Sequence, residues 1–389
     1  MIKRIFWIVA DSFGIGNAPD AALFGDEGAN TLRSCLQSGD LHLPTMQALG
    51  LFNIIGVRGE AVDAPIGNFA RMREASQGKD TTIGHWELCG LRSDTPLPTY
   101  PNGFPSDVLD KLKAACGREI LCNLPYSGTD VIRDYGEEHV KTGALIVYTS
   151  ADSVLQIAAH EDVVPIDTLY RYCEAARTIM QGEHGVGRII ARPFDGNTTS
   201  GFRRTARRHD YSLTPPDKTV LDLLKEAGKD VIGVGKIFDI FAGAGLTASV
   251  RTDNNAHGIR ETMRLMNEDF EGLCFVNLVD FDMVYGHRRD VNGYTAALNE
   301  LDSALGTMLE TLRDDDILML SADHGCDPAF RGTDHTRETV PLLVYGKSLK
   351  RGIDLGVRDT FADAGATVAR FLGAEAPRFG TSFAKELIV

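Results

Sequence analysis

Residues 317–327 read Ile-Leu-Met-Leu-Ser-Ala-Asp-His-Gly-Cys-Asp. The apolar beginning predicts a buried strand that presents Asp323 and His324 at its carboxyl end. In open α/β sheets ligands bind at that edge, and Asp oxygens and His nitrogens are ligands of Zn²⁺ or Mn²⁺. A second histidine, His335, follows eleven residues after His324. Taken alone, the stretch is equally compatible with a strand-end turn that Asp323 caps.

Two further apolar runs end in the same way. Residues 273–279 lead to Asp282 and then to His287, and residues 5–10 lead directly to Asp11. Three strands therefore end in an aspartate, and two of them have a histidine nearby. The recurrence predicts a site built from several strand ends, able to hold one or two divalent metal ions.

The composition indicates a soluble protein of about two domains. The chain has 389 residues, of which 43% are hydrophobic and 24% charged. A net charge of -14 argues against a nucleic-acid partner, although a local basic pocket or a metal still permits an anionic small substrate. Seven cysteines without a Cys-x-x-Cys motif favour a reducing cytoplasm. The amino-terminal apolar run is too short to cross a membrane, so we expect a cytoplasmic protein with no membrane partner.

A stretch with two adjacent threonines is the second candidate for chemistry. Residues 78–87 read Gly-Lys-Asp-Thr-Thr-Ile-Gly-His-Trp-Glu. The hydroxyls of Thr81 and Thr82 suit the cap of a helix, which is the commoner role of Thr. Next to a metal, one of them instead suits a nucleophile, because the metal lowers the pKa of a bound hydroxyl. The stretch by itself leaves both interpretations open.

Strands and helices alternate regularly after Pro216. Apolar residues at positions 294, 298, 301, 305, 308 and 312 predict an amphipathic helix, which returns the chain to the strand that precedes Asp323. Residues 340–345 predict a last core strand near the edge of the sheet, because Pro341 has no backbone donor for an interior ladder.

The amino-terminal strand must join a sheet that is completed only after residue 216, so the middle of the chain is predicted to be inserted. Stretches rich in Pro, Ser and Thr at residues 93–100 and 213–216 mark its limits. We predict a discontinuous metal-binding core, residues 1–95 and 216–389, and an inserted cap, residues 96–215.

The predicted cap ends in a cluster of basic side chains. Six arginines fall within 21 residues of an otherwise acidic protein. They form either an ion-paired surface or a clamp for phosphate, whose oxygens guanidinium groups bind in a bidentate way. The six are Arg188, Arg192, Arg203, Arg204, Arg207 and Arg208.

Taken together, the motifs resemble those of the alkaline phosphatase superfamily and, within it, the phosphopentomutase family. The resemblance rests on residues 11–20, 78–87, 150–158, 208–211, 233–237, 279–288, 323–325 and 333–338, which follow the family's order. It implies an α/β fold: an alkaline-phosphatase-like core with a mainly parallel sheet flanked by helices, plus an inserted, smaller and mobile α/β cap domain.

The resemblance also implies the site. It implies that Thr81 is phosphorylated, because the nucleophile of related mutases lies three residues before the Gly-His pair. The family usually has Thr where Ile83 stands and Asn where Cys326 stands. Cys326 is therefore either an inert core residue or a soft thiol that binds a different metal. Two Mn²⁺ ions per chain are implied, held by Asp11, Asp282, His287, Asp323, His324 and His335.

The function implied is that of an isomerase acting in nucleoside catabolism. It moves phosphate between C1 and C5 of ribose or deoxyribose through a phosphothreonine and a bisphosphate intermediate, with a sugar bisphosphate as an activator. We predict that Asp152, Arg188 and Arg203 bind the pentose phosphate, with surface salt bridges as the alternative for each. Competing functions are a phosphatase or phosphodiesterase of the superfamily, a cofactor-independent phosphoglycerate mutase, and an inactive metal-binding scaffold.

Overall fold

The computed structural model describes residues 2–150, 152–198 and 201–388. The chain divides into two compact units. Unit 1 is formed by Met1–Pro96 together with Pro215–Val389, and unit 2 by Leu97–Thr214. Unit 2 is thus inserted in the sequence of unit 1. The functional roles predicted for core and cap stay predictions.

The strands of the described residues fall into two sheets, one in each unit. In chain order they are β1 (Arg4–Ala10), β2 (Asn68–Met72), β3 (Ile120–Pro125), β4 (Leu145–Thr149), β5 (Val154–His160), β6 (Arg188–Asn197), β7 (Gly201–Arg204), β8 (His209–Ser212), β9 (Asp230–Val234), β10 (Ala248–Val250), β11 (Gly272–Leu278), β12 (Asp316–Ser321), β13 (Val340–Tyr345) and β14 (Asp354–Arg358).

The helices flank these sheets, and one further turn, Phe281–Gly286, is π-helical. In chain order the α-helices of the described residues are α1 (Ala21–Phe24), α2 (Thr31–Gln37), α3 (Pro44–Leu49), α4 (Thr81–Leu88), α5 (Ser106–Cys116), α6 (Asp130–Thr142), α7 (Ile166–Ile179), α8 (Val220–Glu226), α9 (Ile237–Ile240), α10 (Asn255–Met266), α11 (Val291–Thr311), α12 (Ala362–Leu372) and α13 (Ala384–Leu387).

The sheet of unit 1 has the strand order β10-β9-β11-β1-β12-β13-β2-β14. From β10 to β12 every pairing is parallel, whereas β13 is antiparallel to both of its neighbours. Every residue of β1, β11 and β12 is buried, as expected of parallel strands covered on both faces. The predicted α/β fold with a mainly parallel sheet is confirmed.

The position of β13 corrects one sequence-based prediction. Its proline suggested a strand near the edge, but β13 lies inside the sheet, between β12 and β2. The pairing of β12 with β13 ends at Ser321 opposite Leu342. Pro341 is one residue beyond that point, so no ladder bond to β12 is lost there.

The sheet of unit 2 has the order β3-β4-β5-β6-β7, and β8 also pairs with β6. Helices α5 and α7 contribute to one apolar cluster with alternate residues of the strands, such as Val147 and Ile157. Helix α6 contributes to a second cluster that contains Ile146 and Ala158. Because neighbouring strand residues point to opposite faces, unit 2 has a layer of helices on each side of its own sheet.

The amino-terminal ends of β1 and β12 are joined by a buried ion pair in unit 1. Arg4 and Asp316 are opposite each other in the parallel register. Arg4 donates from Nε and Nη2 to the two carboxylate oxygens, at 2.8 and 2.6 Å. Its Nη1 donates to the carbonyl oxygens of Met266 and Glu268. Both charges are therefore paired by hydrogen bonds as well as by attraction.

Among the described residues, no helix combines the length and the apolar character needed to cross a membrane.

Candidate metal centre

The carboxyl ends of β1 and β12 bring Asp11 and Asp323 together. The two strands are paired in parallel up to Val9 and Ser321, so both aspartates emerge at the same edge. Both are fully buried. Ser12 turns the chain with a φ of 71°, and its backbone N–H donates to Asp323 Oδ1 at 3.0 Å. The turn that follows β1 therefore fixes the side chain of Asp323, which follows the neighbouring strand β12.

The π-helical turn after β11 supplies the third carboxylate. Asp282 is buried within this turn, and His287 follows directly after it. His287 Nε2 lies 3.3 Å from Asp282 Oδ2. Nδ1 of His287 donates to the carbonyl oxygen of Thr333 at 2.6 Å. In a neutral ring this leaves Nε2 with its lone pair directed at the carboxylate.

The loop between β12 and β13 adds His335. A bridge between Gly325 and Thr336 fixes this loop beside the end of β12. His335 Nε2 lies 3.2 Å from Asp282 Oδ1 and 3.1 Å from His287 Nε2. Two imidazole nitrogens that face each other at this distance need a shared proton or cation between them.

His324 lies between the two groups of aspartates. Its Nε2 is 3.4 Å from Asp11 Oδ1 and 3.3 Å from Asp323 Oδ2. Nδ1 donates to the carbonyl oxygen of Gly325 at 3.0 Å, which directs Nε2 into the cluster. All six residues predicted as metal ligands are thus assembled at one edge of the sheet of unit 1.

The donor set fits divalent metal ions. Three groups each have their ligand atoms within 4.8 Å of one another: Asp11, Asp323 and His324; Asp282, His324 and His335; Asp282, His287 and Cys326. Each aspartate also has one buried oxygen with no hydrogen-bond partner, namely Asp11 Oδ1, Asp282 Oδ1 and Asp323 Oδ2. Buried oxygens of this kind are costly unless a cation binds them.

The buried acids and histidines of the cluster shift one another's pKa values. Burial and the neighbouring charge of Asp323 raise the pKa of Asp11. Burial opposes ionisation of Asp282, but His335 and the hydrogen bond with His287 bring its pKa well below the ordinary value. The hydrogen bond with Asp282 raises the pKa of His287 to about 9. Without metal, protons therefore provide part of the positive charge that the carboxylates require.

Thr81 is the first residue of α4, and its hydroxyl faces the cluster. The cap of this helix is Asp80, whose Oδ1 accepts from the backbone N–H groups of Thr82 and Ile83 at 3.0 and 3.1 Å. Thr81 Oγ1 lies 3.2 Å from His324 Nε2. The capping role that the sequence left open for the threonines thus belongs to Asp80, and the hydroxyl of Thr81 is placed beside a candidate ligand.

Helix α4 can approach the end of β12 because residue 84 is glycine. A Cβ atom at Gly84 would lie 2.1 Å from the carbonyl oxygen of Asp323. The next residue, His85, donates from Nδ1 to the carbonyl oxygen of Thr81 at 2.8 Å. The same nitrogen contacts Asp323 Oδ2 at 3.0 Å. One imidazole therefore links the nucleophile candidate to a ligand candidate.

Asn277 contacts a candidate ligand, and sequence reasoning missed it. It lies inside β11, and its Nδ2 donates to Asp11 Oδ2 at 2.7 Å. The other oxygen of Asp11, Oδ1, makes no hydrogen bond. The sequence did contain a signal for this contact, namely an amide side chain within an otherwise apolar strand. A buried polar side chain requires a specific hydrogen-bond partner.

Arg337 holds the loop that precedes Thr81. Its buried guanidinium donates from Nη1 to Glu74 Oε2 at 2.6 Å and to the carbonyl oxygen of Gly78 at 2.5 Å. It also pairs with Asp20 at 2.9 Å. Because Arg337 is two residues after His335, these bonds connect the nucleophile loop to the loop of a candidate ligand.

The predicted substrate residues lie in unit 2. Asp152 is exposed, and its backbone N–H donates to Ser150 Oγ at 3.3 Å. Arg188 Nη1 lies 3.7 Å from Asp210 Oδ2. Arg203 donates from Nε to Asp195 Oδ1 at 2.8 Å. Both arginines thus have acidic neighbours, and the roles of all three residues stay predictions.

Tyr148 of unit 2, which sequence reasoning did not select, lies near three arginines of the predicted basic cluster. The hydroxyl of this buried tyrosine has no hydrogen-bond partner. Burial raises its pKa, while the cations of Arg192, Arg204 and Arg208 lower it. Burial and the other two cations lower the pKa of Arg192. Convergent cations around an unpartnered hydroxyl form an environment that favours an anion.

Comparison with known proteins identifies the family. The model of the Metalloenzyme superfamily matches residues 3–376. A phosphopentomutase of Lachnoclostridium phytofermentans is 57% identical, covering 99% of both chains. A phosphopentomutase of Deinococcus radiodurans is 56% identical, covering 98% of both chains.

The chain belongs to the phosphopentomutase family.

Membership in the phosphopentomutase family confirms the predicted enzyme class, an isomerase of the mutase type. The competing phosphatase and scaffold functions are not favoured. Membership in the Metalloenzyme superfamily, together with the ligand groups, supports binding of divalent metal.

Two solved structures show the same fold. A protein of Pyrococcus horikoshii has a TM-score of 0.50 at 14% identity, covering 98% of this chain and 100% of that chain. The phosphoglycerate mutase of Leishmania mexicana has a TM-score of 0.50 at 13% identity, covering 98% of this chain and 97% of that chain. At this level of identity, the similarity concerns the fold alone.

Proposed function

We propose that this phosphopentomutase moves phosphate between C1 and C5 of ribose or deoxyribose, using Thr81 as the phosphorylated residue. The observation that carries the proposal is the position of Thr81 Oγ1, which lies 3.2 Å from His324 Nε2 at the edge where three buried carboxylates meet. The names of the relatives support a pentose phosphate as substrate.

The metal ligands of this proposal form two sets. Asp11, Asp323 and His324 hold one ion, and Asp282, His287 and His335 hold the other, with Mn²⁺ as the proposed metal. When bound, two such cations neutralise charge on the transferring phosphoryl group and favour ionisation of a nearby hydroxyl. The unpartnered carboxylate oxygens support this assignment.

The residues of the chain position the reacting hydroxyl. Asp80 occupies the backbone donors of Thr82 and Ile83, and His85 holds the carbonyl oxygen of Thr81. In the first half of the reaction, phosphorylated Thr81 gives its phosphoryl group to a hydroxyl of the sugar monophosphate, so the bond from Oγ1 to phosphorus breaks. In the second half, the bisphosphate returns its other phosphoryl group to Oγ1. No free phosphate is released.

Unit 2 binds the sugar phosphate in this proposal. Asp152 accepts hydrogen bonds from sugar hydroxyls, and Arg188 and Arg203 pair with phosphate oxygens. The environment of Tyr148 supports adding Arg192 and Arg204 to this set, since both cations lie near its hydroxyl, which has no hydrogen-bond partner. A sugar bisphosphate, which phosphorylates Thr81, is the proposed activator.

The test is a turnover experiment with ribose 1-phosphate and Mn²⁺. We expect ribose 5-phosphate without release of free phosphate, and a phosphoryl adduct on Thr81 in the mass of the intact protein. Thr81→Ala is expected to lower turnover by at least about 10⁴-fold, because it removes the nucleophile, while metal content is retained.

Thr82→Ala is the matched control, because it removes the adjacent hydroxyl. The bond from Thr82 to Asp80 comes from the backbone N–H and is kept in this variant. We expect it to change turnover by less than about tenfold, because it removes no group that reacts. Full activity of Thr81→Ala, or stoichiometric release of phosphate by the wild type, would overturn the proposal.

A further inference from the structure

Cys326 brings a thiol to the edge of the metal centre. Its Sγ belongs to a group, with a carboxylate oxygen of Asp282 and a ring nitrogen of His287, in which all ligand atoms lie within 4.8 Å. We propose that Cys326 is a further ligand of the metal position that the proposed function assigns to Asp282, His287 and His335, and that the thiolate raises the affinity of this position for Zn²⁺, Co²⁺ or Cd²⁺ relative to Mn²⁺. The inference rests on the two-metal centre of the proposed function.

The carboxylate beside the thiol points independently to a cation. The side chain of Asp282 is only 7% exposed, and its Oδ1 is buried without a hydrogen-bond partner. Its other oxygen faces His287 Nε2 at 3.3 Å. A buried carboxylate with an oxygen that makes no hydrogen bond requires a positive charge nearby, and a carboxylate oxygen of Asp282 belongs to the same group of ligand atoms as the thiol.

The surrounding chain holds Cys326 against the turn that carries the other two ligands. Its backbone N–H donates to the carbonyl oxygen of Ser12 at 3.2 Å, which ties it to the segment that follows Asp11. A Cβ atom at Gly286 would lie 2.8 Å from the sulfur. Glycine at this position therefore allows the thiol to pack directly against the residue that precedes His287.

The thiol has no strong interaction that competes with a metal. The contact of its Sγ with the carbonyl oxygen of Asp334 is long, at 3.8 Å, and thiols are weak donors. When the sulfur binds a metal ion, its proton is released to solvent, so one proton is lost for each ion bound by the thiolate.

The chemistry of the donor atoms sets the metal preference. Mn²⁺ suits carboxylate, carbonyl and water oxygens, whereas thiolates select softer ions such as Zn²⁺. Carboxylate oxygen, imidazole nitrogen and thiolate sulfur are all donors that bind Zn²⁺ in proteins. The other position, with Asp11, Asp323 and His324, has no sulfur donor in its ligand group. The two positions of this centre are therefore expected to differ in selectivity.

Cobalt provides a spectroscopic test that does not depend on catalysis. Metal-free full-length protein is titrated with Co²⁺, and the near-ultraviolet charge-transfer absorption of a cobalt–thiolate bond is recorded. We expect this band in the wild type and its loss in both Cys326→Ser and Cys326→Ala. Cys122→Ser, which removes a thiol of unit 2, is the matched control and is expected to keep the band.

Competition between Cd²⁺ and Mn²⁺ measures the selectivity. At the position that contains Cys326, we expect the affinity for Cd²⁺ relative to that for Mn²⁺ to fall by at least about tenfold in Cys326→Ser. Loss of a group around a metal site typically has an effect of this size. Wild-type protein that binds two Co²⁺ ions without the charge-transfer band overturns the inference and leaves the proposed centre intact. Protein that binds no metal overturns both.

Discussion

The two ends of the β1–β12 strand pair both bury charge, but they treat it differently. At the amino-terminal end, Arg4 and Asp316 satisfy each other through two hydrogen bonds. At the carboxyl end, Asp11 and Asp323 are just as buried, yet each retains an oxygen that makes no hydrogen bond and faces only imidazole nitrogens. The same two strands therefore have a closed electrostatic contact at one end and an open one at the other.

The difference is the one expected between charge that stabilises the fold and charge that is proposed to bind a metal ion. Removal of one partner from a closed buried pair leaves an uncompensated charge and costs stability. Open carboxylates already bear that cost in the folded state, and a cation relieves it on binding. The three predictions that follow test this distinction, and they are ordered by the size of the expected effect.

The largest effect is expected at the closed end. Asp316→Asn removes the charge that balances buried Arg4, which is 1% exposed. We expect the free energy of unfolding to fall by about 3–5 kcal/mol, measured by denaturant titration, with no change in the number of metal ions bound. Asp315→Asn is the control, because its ion pair with Lys3 is largely exposed, and it is expected to cost about 0–1 kcal/mol. Equal costs for the two variants would contradict the assignment.

A smaller effect is expected from Asn277, at the open end. Asn277→Ala removes the donor that holds Asp11 Oδ2. We expect metal affinity to fall by about 10–100-fold, measured by titration of the metal-free protein.

Ser321→Ala is the matched control for Asn277. Ser321 is also a buried polar residue near the end of a central strand, but its hydroxyl accepts from Trp7 Nε1 at 2.8 Å. We expect Ser321→Ala to cost about 1–3 kcal/mol of stability, since it leaves the indole N–H unpaired, and to leave metal affinity unchanged. Reversal of these two outcomes would show that Asn277 supports the fold rather than the ligand.

The smallest effect, measured per pH unit, is expected for the dependence of metal affinity on pH. His287, with a pKa raised to about 9 by its hydrogen bond with Asp282, is protonated at neutral pH without metal and must lose its proton to become a ligand. Loss of this proton should make the apparent metal affinity rise with pH, and the contribution of His287 is at most about tenfold per unit and levels off above about pH 9.

The stability of the metal-free protein should change in the opposite direction. The folded pKa of His287 lies above its unfolded value, so the pair with Asp282 contributes fully below pH 6.5 and is lost as the pH rises through about 9. His287→Gln should remove the contribution of His287 to both dependences. Metal affinity that does not vary between pH 7 and 9 in the wild type would contradict the prediction.

The sequence predicted the fold class and the chemistry of the strand ends for a local reason. Apolar runs in strands buried on both faces contain almost no polar residues, so the aspartates that follow them are conspicuous. Local patterns did not determine the role of the threonines, because Asp80, Thr81 and Thr82 are all residues that occur at helix starts. The observed cap at Asp80 gives Thr81 its orientation, and the role as nucleophile stays a proposal.

Two other features depended on packing between distant segments. Pro341 suggested an edge strand, but its position inside the sheet is tolerated because the pairing with β12 stops at Leu342. Asn277 was overlooked within its apolar strand, and only the approach of Asp11 from the neighbouring strand gives its amide a partner.

The amino-acid sequence by itself determined which segments become buried strands and which side chains stand at their ends, because periodicity and composition act over a few residues. Only the tertiary structure decided which of these side chains meet. Asp11 and Asp323 are more than three hundred positions apart in the sequence. The parallel pairing of β1 with β12 brings them to the same edge of the sheet, where Ser12 N–H donates to Asp323 Oδ1. Distances of this kind follow from strand register and packing, and they determine which buried charges are paired and which remain open to a cation.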